Sequence, residues 1–282
     1  EGNRAPIGGA ISYQGDTHPN NVNFNHRVFV EHSLFLGNIA TSDGGAFYGR
    51  SVIARFADSD FLNNAATRSG GAVYLDNRYV AEWDDAVYPL LIDFSYVNFE
   101  DNVGLEHGGA IASHGARIAL TNCALERNAA LSGGGVVLED SARLDAMLSD
   151  FVDNTAVLTD GGAISVRTES LLWTERCTFA TNQAAGSGGA IAVDEAVLEE
   201  AGSEFLANQC DLYGGAVESK NNSRIVLSGS SIEGGGVVNA QYGGGIDIDP
   251  TNDTAAIEDV TVQGCMATRM GGGIYSDGAY TL

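Results

Sequence analysis

Ten times along the chain a Gly-Gly pair is followed by a small residue and then a larger apolar one. These tetrads start at Gly8, Gly44, Gly70, Gly108, Gly133, Gly161, Gly188, Gly214, Gly243 and Gly271. Most intervals are 25 to 29 residues, with two longer ones of 36 and 38. A repeat of that period restricts the chain to stacked units, because each unit is too small to bury an apolar face alone.

Aligning the tetrads exposes two further columns. One runs Phe35, Phe61, Phe99, Leu125, Phe151, Phe179, Phe205. Three residues after each comes Asn38, Asn64, Asn102, Asn128, Asn154, Asn182, Asn208. A third apolar column, from Val28 and Ala54 to Leu198, lies seven residues before the aromatic one. Each unit therefore holds three short apolar segments separated by Gly, Asn, Asp and Ser. Paired glycines in every unit exclude long helices. Sandwiches and barrels do not require one residue type at one position in each unit.

A parallel β-helix does require it, since equivalent residues sit ~4.8 Å above one another. The expected fold is all-β: a right-handed parallel β-helix of about ten coils, three short strands per coil, roughly 48 Å long. The Phe column would form an interior ladder and the Asn column a ladder of amides in turns, as in cross-β stacks. The glycines suit a turn at positive φ or a backbone too closely packed for a Cβ. The pattern decays late: Ile232 and Val262 replace Phe, and Gly235 and Cys265 take the Asn slots.

Paired tetrads and Phe-x-x-Asn motifs, such as Phe61 to Asn64 with Gly70 to Val73, and Phe179 to Asn182 with Gly188 to Ile191, resemble the repeats of the chlamydial polymorphic outer membrane proteins. The resemblance implies a right-handed parallel β-helix at a cell surface, acting in adhesion. It extends over nearly the whole chain.

One β-helix domain is expected over residues 1–282, with loop insertions near 16–25 and 77–89. The repeats reach both ends, so the expectation is a segment of a longer chain, or one whose ends stack on further coils or other subunits. A formal net charge of −23, with Lys220 as the single lysine, excludes nucleic acid as a natural partner. No apolar run reaches the ~20 residues that span a bilayer, so direct membrane insertion of this segment is not expected. Cys123 and Cys177 share a column two coils apart, ~9.6 Å, beyond disulfide reach. Cys210 and Cys265 fall in different columns, and all four read as free thiols, mostly buried.

Candidate functional residues fall in three groups. The second insertion carries Tyr79, Trp83, Asp84, Asp85 and Tyr88, aromatics beside carboxylates that suit host or matrix glycans or protein. Asp247 and Asp249 present two carboxylates to one strand face, an arrangement for Ca²⁺ or for acid/base chemistry on a glycoside. Asn221 and Asn252 open glycosylation sequons, used only in a eukaryotic secretory context. Six residues past each tetrad's first glycine runs a polar column of mixed charge, expected to be exposed: Gln14, Arg50, Asp76, His114, Glu139, Arg167, Asp194, Lys220, Asp249, Asp277.

No residue is assigned a catalytic role. The preferred reading is a non-catalytic extracellular structural or adhesive module of a cell-surface protein or filament, with no cofactor unless Ca²⁺. The alternative is a carbohydrate-binding or polysaccharide-degrading β-helix. A smooth surface would favour the first, and a convergent, partly buried carboxylate cluster in a groove the second.

Overall fold

The computed structural model describes residues 1–15, 27–77, 91–235, 240–249 and 254–277. Tyr79, Trp83, Asp84, Asp85, Tyr88 and Asn252 lie outside them, as do the 16–25 insertion and nearly all of the 77–89 insertion. Every element among the described residues is a β-strand, and every pairing is parallel. The chain is a parallel β-solenoid with three faces.

One coil shows the plan. Ile111–His114 follows a tetrad and belongs to the 10-stranded tetrad face. Arg117–Thr121 and Ala124–Glu126 follow on the 16-stranded long face. Ala129–Ser132 closes the coil on the 8-stranded narrow face. The long face therefore takes two strands from most coils, bent apart at a residue of positive φ such as Asn122 or Leu148. Among the described residues ten rungs stand on the tetrad face and eight on the narrow one, so about eight coils there carry all three faces.

The core is the solenoid's interior. Phe35 is nearly buried and Phe61, Phe99, Phe151, Phe179 and Phe205 are fully so. Phe35, Phe61 and Phe99 stack at 4.5 and 5.0 Å between ring centroids, and Phe151, Phe179 and Phe205 at 4.8 Å each. Leu125 separates the two aromatic runs.

The Asn column is a continuous buried ladder. In each coil from Asn38 to Asn182 the side-chain amide and the backbone N–H donate to the next asparagine's Oδ1, at 2.9–3.0 Å. From Asn64 onward the amide's second hydrogen goes to a carbonyl of an earlier coil, as from Asn154 to Leu125. Asn3, which no Phe precedes, joins at the start. The ladder ends at Asn208, because Gly235 has no side-chain acceptor.

The tetrad's two glycines do different work. Gly70 has φ +66°, a conformation costly for any residue with a Cβ. A Cβ on Gly71 would lie 2.1 Å from the Gly109 carbonyl of the next coil. The first makes the corner and the second lets neighbouring coils touch.

Two columns depart from a plain apolar interior. Cys123 and Cys177 share theirs with Ser149 and Ser203, whose hydroxyls accept their backbone N–H groups at 3.1 and 3.0 Å. All four cysteines are free, and Cys265 alone is partly exposed. Glu200 is buried beside Thr174 and Leu227, accepting from the Ser203 N–H at 2.8 Å and from the Ser230 hydroxyl.

Candidate functional site

The corner before each tetrad sets the narrow face at an angle to the tetrad face. That leaves a groove along the solenoid, and three columns line it. Strands on the tetrad face alternate inward and outward residues. Ile246 and Ile248 point into the core, so Asp247 points into the groove.

Its column runs in register as Tyr48, Tyr74, Ala112, Val137, Ser165, Ala192, Glu218, Asp247, Tyr275. The second column is the polar one that begins at Gln14. Gln14 and Asp277 at its two ends are exposed, as expected, but from Arg50 to Asp249 it is half-buried, with Asp76 buried outright, because the narrow face rises beside it. The third column precedes each tetrad and holds His107, Ser132, Asp160, Ser187, Tyr213 and Tyr242.

Two neighbouring cavities share Asp160. The middle one, about 400 Å³, is lined by His107, Ser132, Arg167 and Asp194 among others. Acids there have basic partners. Arg167 donates to Glu139 at 3.3 Å, to Ser165 at 2.9 Å and to the Ser132 hydroxyl. His114 Nδ1 lies 3.0 Å from Asp140 and 3.5 Å from Glu139. Burial, with help from Arg167, holds His107 below the usual histidine range against the pull of Glu139.

The second cavity, about 440 Å³, is acidic. Asp160, Glu218, Asp247, Asp249 and Asp277 line it, with Lys220 as the one cation among the described residues. Lys220 Nζ lies 2.7 Å from Asp160, 3.8 Å from Glu218 and 3.9 Å from Asp194. Those carboxylates hold its pKa up although burial opposes them. Glu218 and Asp247 are paired residues of adjacent strands, 4 % and 6 % exposed. Burial, reinforced by Asp160, Asp247 and Asp194 and opposed by Lys220, pushes Glu218 up to about 8. Burial and Asp249 push Asp247 up to about 7.

Three tyrosines complete the wall. Tyr242 stands between Tyr213 and Tyr275, with centroids 5.7 and 4.8 Å away. The structure thus sets Asp247 and Asp249 in a groove with Glu218, Asp160 and Lys220, the convergent arrangement that favours the carbohydrate reading. Among the described residues no group of three or more His, Cys, Asp or Glu side chains is arranged to hold a metal ion. Asn221 is exposed but donates to Asp194 at 2.7 Å, and Ser223 of its sequon is buried.

Sequence reasoning missed Glu218, Asp160 and the tyrosines. A signal was present: in Glu218's column the four preceding coils carry Ala112, Val137, Ser165 and Ala192. A long charged residue after four small or apolar ones marks a change of use.

No curated protein and no solved structure shows significant similarity to the chain. The model of the Chlamydia polymorphic membrane protein repeat matches residues 32–50, 58–76 and 176–194. Each match runs from the bend before the Phe column to the groove's outer column, ending at Arg50, Asp76 and Asp194. At three sites on its parallel β-solenoid, then, the chain carries the repeat of the Chlamydia polymorphic membrane proteins.

Proposed function

We propose that the chain is a cell-surface β-helix module that holds a glycan along the groove between its tetrad and narrow faces. The observation that carries this reading is the Tyr213–Tyr242–Tyr275 wall beside the buried carboxylates Glu218 and Asp247. Tyrosine rings take the apolar face of a sugar, and carboxylates accept its hydroxyl hydrogens. The surface placement is supported by the repeat shared with a membrane-protein family. Further coils or subunits stacked on the solenoid ends would set such a groove away from the cell, the geometry of an adhesive stalk.

The test is retention on immobilised neutral, acidic and amino polysaccharides, with and without Ca²⁺, together with an assay for new reducing ends. Retention without new ends is expected, and it should be lost in a Tyr213→Ala/Tyr242→Ala double variant. Failure to be retained on any of them would sink the reading. Retention that needs Ca²⁺ would place a cation at Asp247 and Asp249.

Hydrolysis is a second reading, favoured by the same carboxylate pair. Glu218 and Asp247 are register partners on adjacent strands, whose ~4.8 Å spacing is of the order of the ~5 Å between the carboxyls of retaining glycosidases. The raised pKa of Glu218 suits a proton donor. New reducing ends that vanish in Glu218→Gln would put this reading in place of the first.

A further inference from the structure

At its acidic end the groove holds buried acceptors that no described residue satisfies. Asp247 lines the cavity, is 6 % exposed, and its Oδ1 receives no hydrogen bond. Glu218 Oε2 receives none either, and Lys220 Nζ stands 3.8 Å away. A buried carboxylate left this way takes up a proton or finds a donor in a ligand. Lys220 Nζ bonds Asp160 at 2.7 Å and lies beyond hydrogen-bond distance of Glu218.

We propose that this cavity binds the free ammonium of an amino-sugar unit, with Asp247 and Glu218 accepting its hydrogens and the tyrosine wall against the sugar ring. This rests on the glycan reading and names its ligand class. An ammonium offers three donors and no acceptor, which matches two carboxylates one strand spacing apart. An N-acetylated or neutral sugar brings no positive charge to neutralise them. A metal ion would need a fuller set of ligands than the described residues assemble here.

Uptake of the ammonium also releases protons. Burial favours the protonated forms of Glu218 and Asp247 toward neutral pH, and an ammonium reverses that preference. The other charged or titratable groups facing the pair are Asp160, Asp194, Lys220, Asp249, Asp277, Tyr213, Tyr242, Tyr275 and Cys210.

The experiment is calorimetric titration of the whole chain with glucosamine oligomers, fully deacetylated or fully N-acetylated, and with a lysine oligomer. It is run near neutral pH in buffers of different ionisation enthalpy. The deacetylated sugar should bind at least about tenfold tighter than the acetylated one, with proton release. Asp247→Asn and Glu218→Gln should each reduce that preference and the proton count, and Tyr242→Ala should weaken both sugars. Thermal melting of each variant separates a lost site from a lost fold. Equal binding of the two sugars, still sensitive to Tyr242→Ala, would overturn the ammonium and leave the glycan groove standing. Binding of neither sugar would overturn both. A lysine oligomer that matches the deacetylated sugar, with no effect of Tyr242→Ala, would assign the site to peptide amines and overturn the sugar.

Discussion

The middle and the acidic end of the groove share one backbone plan and the same three columns, yet their acids are partnered differently. Around His107 and His114 each acid has a basic neighbour, as Glu139 has Arg167 at 3.3 Å. Around Glu218 and Asp247 the outer column runs out of cations after Lys220 and continues with Asp249 and Asp277. The inner column changes there too, from Ala192 to Glu218. Coil geometry is therefore the common part, and column occupancy sets how each stretch is charged. Buried charge without a counter-charge is destabilising, so its presence at one end marks a site that stability alone does not explain.

The largest expected effect removes the plan common to both stretches. Asn154 donates to Leu125 and Asn182 and accepts twice from Asn128, all in the buried ladder. Asn154→Ala strands those groups and should cost about 3–5 kcal/mol by chemical denaturation. A loss under about 1 kcal/mol would show that the ladder is dispensable. Either stretch surviving alone would show that the coils do not fold as one unit.

The next effect separates the stretches by pH. Glu218 binds a proton more readily folded than unfolded, so its contribution is fully present below its unfolded pKa, near that of an ordinary carboxylate. It is lost as pH rises through about 8. Stability of the wild type should fall across that window by a few kcal/mol at most, and Glu218→Gln should flatten the slope. A slope unchanged by Glu218→Gln would remove Glu218 from the argument.

The smallest effect converts one stretch toward the other. Arg167→Ala strips Glu139 and Asp194 of a neighbouring cation, so capture of the deacetylated sugar should rise by about twofold to threefold. A fall would mean that the middle stretch supports the site by some route other than charge.

Much of the solenoid was legible from residue order. Phe61 and Asn64 are read correctly as core and ladder because each coil repeats the same local environment, and the same demand recurs at Phe179 and Asn182. The candidate site was half legible. Asp247 and Asp249 stand out as a pair, but their partners Glu218, Asp160 and Tyr242 are dispersed along the chain. Only stacking brings Asp160 within 2.7 Å of Lys220, sixty residues later.

The sequence by itself determined the period, the interior columns and the glycine corners, since these depend on contacts between one coil and the next. Tertiary structure decided which outward-facing residues are buried. On a flat sheet Glu218 would face water, with an ordinary carboxylate pKa. Here the narrow face rises beside it, excludes solvent and supplies Asp160, and that angle between faces is encoded in no single repeat.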